Sequence, residues 1–295
     1  AIVRTHLWMA WFVLLNQRIQ ENPCMLQGRF PSHGLRQEIY TILMKFCCSS
    51  LGSHLASKCL QQEVIEQEGL DLAHEFLQLG LFSDVASGKL KLATFYLLQN
   101  KVILAEYILQ NIEKNYTFLV SNVPADGPNV PGILRIINDN LSTTEFITDF
   151  NAFPVPYLLS EIHCTPEALI PEMFRLTGSY IGSLDPILDF WQSWAVVDSK
   201  FYLYFLKHQC YHRQNKILLK MTALDNMIWV IRHERLRYIY TALNILAYCL
   251  MKDGFVVQSY AVLSKSMKLK NYHNAAKWQI AYVINAASRL LRYRY

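Results

Sequence analysis

Apolar residues along most of this 295-residue chain recur at spacings of three and four, the period of helices that bury one face. The pattern runs from His6 to Gln20 and again from Gly34 to Leu60, where Leu35, Ile39, Ile42, Leu43 and Phe46 fall together. Pro23, Gly28, Pro31 and Gly34 break the chain between these segments, because proline cannot donate inside a helix and glycine weakens one. The acidic stretch from Glu63 carries Leu70, Leu72, Phe76, Leu77 and Leu79 and predicts a helix stopping at Gly80. Ser87 to Gln99 and Val102 to Tyr116 predict two helices joined at Asn100-Lys101, a helical hairpin.

From Phe118 to Pro156 the period is lost among Pro124, Gly127, Pro128, Pro131, Gly132, Pro154 and Pro156, which predicts a linker or long loop with a short helix at Ile133 to Asn138. Beyond it Thr165 is placed to cap a helix starting at Pro166. Helical patterns then run from Asp185 to the C-terminus, with breaks near His212 and His233. The expected organisation is N-terminal helices over 1–60, a repeat-like hairpin within 61–117, the linker over 118–156 and C-terminal repeats over 157–295.

A tetratricopeptide unit is a helical hairpin of about 34 residues with small side chains where its helices cross. Leu246-Ala247 precedes Leu250, Gly254 lies at a turn, and Ser259 precedes Leu263; one period later Ile280-Ala281 precedes Ile284. Upstream, Leu92-Ala93 precedes Tyr96, Asn100 marks a turn and Ala105 precedes Leu109, so the step from Ala93 to Ala105 recurs from Ala247 to Ser259. Ala93, Ala105, Ala247, Ser259 and Ala281 are the predicted close-packing positions, and the helices Phe201 to Tyr211 and Lys216 to Trp229 are degenerate copies lacking the small residues. The expected fold is all-α, with hairpins stacked as a degenerate tetratricopeptide-like solenoid whose groove takes a peptide or helix.

Composition narrows this further. The apolar content of 52% suits a large core, and the longest apolar run, Trp8 to Leu15, is too short to span a bilayer. Seven cysteines (24, 47, 48, 59, 164, 210 and 249) without framework spacing point to reduced thiols in the cytoplasm or nucleus. A chain starting at Ala1 without Met reads as a piece of a longer protein, and the sequons at Asn115 and Asn140 carry no weight without a secretory context. Residues 230–295 hold eleven Lys/Arg against Glu234 and Asp253, whereas the whole chain is only +5. Arg232, Arg235, Arg237, Lys265, Lys268 and Lys270 are therefore candidate contacts for an acidic partner.

Catalytic motifs are not found: Gly88-Lys89 lacks the rest of a phosphate-binding loop, and no nucleophile elbow or paired-histidine zinc helix occurs. His208, Cys210 and His212 resemble a metal set, but only the two histidines share a helix face. Cys47, Cys48 and Cys59 near His54 read as small buried hydrophobes, and Trp8, Trp11, Trp191 and Trp194 as core or groove anchors. No cofactor or metal is expected, and the chain is not expected to be an enzyme.

The phrases Trp194-Ala195-Val196-Val197-Asp198-Ser199, Tyr202-Leu203-Tyr204-Phe205-Leu206, Ala223-Leu224-Asp225-Asn226, Thr241 to Leu246 and Asn274-Ala275-Ala276-Lys277-Trp278 have a counterpart in a known group, as do Ser87 to Ala93 and Ile162-His163-Cys164 with Pro166-Glu167. Over roughly residues 60–295 the chain resembles the C-terminal helical region of invertebrate proteins of the male-abnormal type, relatives of cyclic GMP-AMP synthase. The resemblance implies a non-catalytic tail, following a nucleotidyltransferase core, in an innate-immune or signalling protein. Gly52-Ser53 is the nearest thing to that core's Gly-Ser turn, but no acidic-x-acidic strand follows it, so no catalytic residue carries over. Three functions remain open: a protein-interaction scaffold, a nucleic-acid-binding accessory region, and a fragment of an enzyme whose active site precedes Ala1.

Overall fold

A computed structural model describes residues 33–62, 67–116, 121–122, 148–149, 151–175 and 194–292. The expected helices over His6 to Gln20 and Ile133 to Asn138 lie outside the described residues. Of the described residues, 76% are helical, so the all-α expectation holds.

Helices α1 (His33–Gln61) and α2 (Gln67–Leu79) pack tightly on one another, joined by Ala56, Cys59, Leu70, Ala73 and Leu77. Gly52 makes the close crossing possible: a Cβ there would stand 2.7 Å from both the Ala73 carbonyl oxygen and the Leu77 nitrogen. Gly52-Ser53 is thus a helix-interior packing site and not a turn. The boundary drawn near residue 60 also separates two helices that share a core.

Helix α3 (Ser87–Leu98) is buried nearly all round, including Lys91 and Thr94, and packs on both α1 and α2. It turns at Asn100 into α4 (Val102–Asn115). Two short ladders follow. Strand β1 (Ser121–Asn122) pairs in parallel with β2 (Asn151–Ala152), and β3 (Val155–Tyr157) pairs antiparallel with β4 (Ala195–Val197). Asn151, Ala152 and Val155 are buried, so the last residues of the expected linker are core, continuous with the buried Tyr157 just beyond it. The reason is visible at Asp84, whose carboxylate accepts the Phe153 backbone N–H at 2.7 Å and the Ser87 N–H at 2.8 Å, tying the segment between β2 and β3 to the start of α3.

Thr165 does not cap a helix. Its hydroxyl donates back to the Glu161 carbonyl at 2.8 Å, closing the 3₁₀ turn Leu159–Cys164, while a second such turn (Glu167–Leu169) leads into α5 (Ile170–Met173). After β4 the chain forms α6 (Ser199–Arg213), α7 (Ile217–His233), α8 (Ile239–Lys252), α9 (Val256–Leu269) and α10 (Ala276–Arg292). One apolar core runs from Val85 to Leu250 and crosses the expected domain boundaries, with α4 packed on α6.

Three hairpins, α3–α4, α6–α7 and α8–α9, close with the same turn. Asn100, Asn215 and Gly254 adopt positive φ (58°, 55° and 87°), the left-handed conformation that asparagine and glycine tolerate best. The next residue's N–H then donates to the carbonyl five residues back: Lys101 to Tyr96 (2.8 Å), Lys216 to Tyr211 (2.9 Å) and Phe255 to Leu250 (2.8 Å). This satisfies carbonyls that a helix end otherwise leaves open. The first two turns share the phrase Gln-Asn-Lys followed by three aliphatics, Gln99 to Leu104 and Gln214 to Leu219, a repeat that the small-residue template did not detect.

Candidate docking groove

Counting seven residues back from each turn gives Ala93, His208 and Ala247; counting five forward gives Ala105, Lys220 and Ser259. Ala93, Ala105, Ala247 and Ser259 are fully buried, and the Ser259 hydroxyl donates to the Ala247 carbonyl at 2.8 Å. In the middle hairpin, ionisable groups occupy the equivalent places. His208 Nε2 lies 3.0 Å and Lys220 Nζ 2.6 Å from the two carboxylate oxygens of Asp253, which precedes the turn of the next hairpin. Burial pushes the Asp253 carboxyl up, but the contacts with Lys220 and His208 outweigh it and leave it below the usual carboxylate range. Burial also lowers His208 despite its Asp253 partner.

Ala281 departs from the expected packing. It is exposed, as is Ile284 at 53%, whereas Ala276 and Val283 hold the buried face of α10. The physical reason is that Ala247 is covered by the helix that follows it, and among the described residues no helix follows α10.

Asn274 sets the position of α10. Its side-chain oxygen accepts the Ala276 N–H at 2.9 Å and an Asn244 amide hydrogen at 2.9 Å, while its own amide reaches the carbonyls of Ser266 and Lys270. Asn244 also donates to the buried Glu172 at 2.7 Å. These bonds join α5, α8, α9 and α10. They leave a mainly apolar groove of about 290 Å³ between Ile170-Pro171, Ala247, Met251, Leu263 and the α10 residues Trp278, Tyr282 and Val283.

Trp278 and Tyr282 are 47% and 59% exposed. Gln279, which also lines the groove, has neither its amide nitrogen nor its carbonyl oxygen paired, although both atoms are shielded. At the rim the Tyr248 hydroxyl donates to Glu167 at 2.6 Å, Lys252 stands 3.5 Å from the same carboxylate, and Lys277 lies 5.2 Å from the Trp278 ring centre. Burial, then the neighbouring Glu167, raises the Tyr248 phenol. Replacing Ala247 by leucine should cost about 1–3 kcal/mol by overpacking the crossing under Ser259. The same change at Lys252, whose side chain is 44% exposed, should cost less than about 0.5 kcal/mol. Equal melting temperatures for the two variants in parallel thermal scans would overturn this assignment.

Arg232, Arg235, Arg237, Lys265 and Lys268 are exposed, and Lys270 is half-buried with its ammonium 4.2 Å from the Tyr240 ring centre. The arginines lie at the end of α7 and in the segment leading into α8. The lysines lie at the end of α9, where the Ser266 hydroxyl reaches the Tyr240 carbonyl at 3.4 Å. Both groups therefore gather at the end of the α8–α9 hairpin opposite Gly254.

The other candidates resolve into structure. His208 binds Asp253, His212 stacks on it at 6.5 Å, and Cys210 is buried in the main core. His54 faces the Ser160 carbonyl at 3.2 Å, Cys59 is buried, Cys47 and Cys48 are half-buried, and burial raises the Cys47 thiol to about 11. Among the described residues no three His, Cys, Asp or Glu side chains gather as metal ligands, and no helix is long and apolar enough to cross a membrane. Trp8, Trp11 and Trp191 lie outside the described residues. Compared with protein-family models, curated proteins and solved structures, the chain gives no match, so the male-abnormal resemblance rests on the sequence phrases alone.

Proposed function

We propose that this chain is a non-catalytic scaffold of the cytoplasm or nucleus that binds other proteins through stacked, tetratricopeptide-like helical hairpins. The observation that supports this reading is the recurrence of one turn geometry in three hairpins, the middle of which reaches Asp253 of the next through His208 and Lys220. Such units bury their apolar faces by stacking and leave a groove along one side. The male-abnormal resemblance adds the reading of a tail in an innate-immune or signalling protein. The basic end of α8–α9 favours a second reading, an accessory surface for nucleic acid.

Affinity capture with the intact chain, followed by chemical cross-linking and mass spectrometry, separates these readings. The scaffold reading expects cross-links to defined partner proteins that survive nuclease treatment. Complexes that vanish with nuclease would replace it by the nucleic-acid reading. Recovery of the chain alone would sink both.

A further inference from the structure

We infer that the end of the α8–α9 hairpin opposite Gly254 is a docking surface for an anionic lipid bilayer, held by cations gathered around the exposed Leu269 and Tyr272. The inference goes beyond the scaffold reading and does not depend on it.

Three elements bring the cations together. Arg232 lies in the last turn of α7, Arg235 and Arg237 in the link to α8, and Lys265, Lys268 and Lys270 toward the end of α9. Tyr240, at the start of α8, joins the two groups. Its carbonyl accepts the Ser266 hydroxyl at 3.4 Å, and its ring centre lies 4.2 Å from the Lys270 ammonium. The carboxylates nearby already have partners. Glu234 pairs with Lys200 at 2.6 Å, and the buried Glu172 faces Arg175 and accepts from Asn244. The buried Asp198 accepts the backbone N–H groups of Arg237 and Tyr238. With Glu234 balanced by Lys200 and Glu172 by Arg175, the six cations face only Asp198, an excess of five positive charges. Arg232, Arg235, Lys265 and Lys268 are exposed, and among the described residues no carboxylate pairs with them.

Apolar side chains stand among these cations. Leu269 and Tyr272 are 54% and 69% exposed, and with Met267, Lys268, Lys270 and Asn271 they border an open hollow of about 570 Å³.

The mixture of charge and apolar surface selects the occupant. The cations are spread over the end of α7, the link and the end of α9, and a fluid bilayer brings an anionic headgroup to each of them where it stands. The same interface takes an aliphatic and an aromatic side chain below its headgroups, so insertion and charge act together. A strand of nucleic acid would meet the cations and stack on Tyr272, but it leaves Leu269 in water. A second copy of this surface would bring a like excess of positive charge and is repelled.

Vesicle flotation of the full chain tests this. The vesicles are phosphatidylcholine alone, or phosphatidylcholine with an equal part of phosphatidylserine; a single-stranded oligonucleotide and polyglutamate serve as competitors. The chain should bind the serine lipid at least about tenfold more tightly than the neutral one, and less as salt rises. Arg235→Ala and Lys268→Ala should each weaken binding by about fivefold, the effect of one cation near an anionic surface, whereas Lys268→Arg should retain it. Lys101→Ala removes an exposed cation at the α3–α4 turn and should change nothing. Leu269→Ser should weaken binding to the serine lipid at high salt, where insertion contributes most. All five positions are exposed, so the variants should melt with the parent.

Equal flotation with both lipids, no flotation at all, no loss with folded Arg235→Ala and Lys268→Ala chains, or an equal loss with Lys101→Ala would each overturn the inference. So would tighter binding of either competitor than of the vesicles, which would assign the surface to nucleic acid or to an acidic protein segment. Cross-links to partner proteins that survive nuclease would leave the scaffold reading standing in any of these cases, so the two fail separately.

Discussion

Replacing Lys91 by methionine should destabilise the protein by about 3–5 kcal/mol, the largest effect expected of any single substitution considered for this chain. Lys91 is 3% exposed and Glu161 fully buried; the ammonium lies 2.7 Å from Glu161 Oε1 and 3.2 Å from the Ser50 hydroxyl, and 5.0 Å from the Tyr157 ring centre. Glu161 Oε2 meanwhile accepts the Leu158 N–H at 2.7 Å. Methionine fills most of the space but leaves a buried carboxylate with its charge uncompensated, and that desolvation cost produces the loss. Glu161→Gln in the same background removes the charge while retaining an acceptor for Leu158. The double variant should therefore recover a large part of the deficit. Denaturant melts of the parent, both single variants and the double variant give the coupling directly; losses that simply add would show that the pair is not a coupled unit.

Gly52→Ala should be destabilising by about 1–3 kcal/mol, opposite in sign to what the same substitution does in an exposed helix. Alanine ordinarily stabilises a helix interior by about 0.5–1 kcal/mol because glycine loses more backbone freedom on folding. Here the added Cβ would stand 2.7 Å from two backbone atoms of α2 and 2.8 Å from the Leu77 side chain. Backbone cannot rotate away as a side-chain tip can, so α1 and α2 must move apart and the contacts of Ala56, Ala73 and Leu77 loosen together. Gly254 provides the contrast: a Cβ there meets nothing within 4 Å, so Gly254→Ala tests only the cost of its positive φ. A Gly52→Ala chain that melts above the parent would show that the helices do not approach this closely.

Local pattern alone determined a great deal. The three- and four-residue spacing located most helices of the described chain to within a few residues, because a helix that buries one face must repeat its apolar residues at that interval. The helical run expected from Asp185 is wrong at Ala195–Val197, which pairs as a strand with Val155–Tyr157. Asn100 and Gly254 were legible as turns because few residues tolerate left-handed backbone there. Asn215 was legible in the same way, but the template sought small residues at the crossing, and His208 and Lys220 stand in those places. Nothing local says that the two side chains converge on Asp253, which belongs to another hairpin; only packing brings them together. Tertiary structure likewise decided that α3 is buried nearly all round, that Asn151 to Val155 is core and not linker, and that Gly52 marks a helix crossing. Ala281 has the sequence of a packing site, yet a small side chain becomes one only when another helix lies across it. The groove is of the same kind: Glu167, Ala247, Ser259 and Trp278 are far apart in the chain, and their meeting depends on the Asn244–Asn274 bonds that place α10. Periodicity is written residue by residue, whereas proximity between distant segments is settled by which packing of all the helices buries the most apolar surface and pairs the most polar groups.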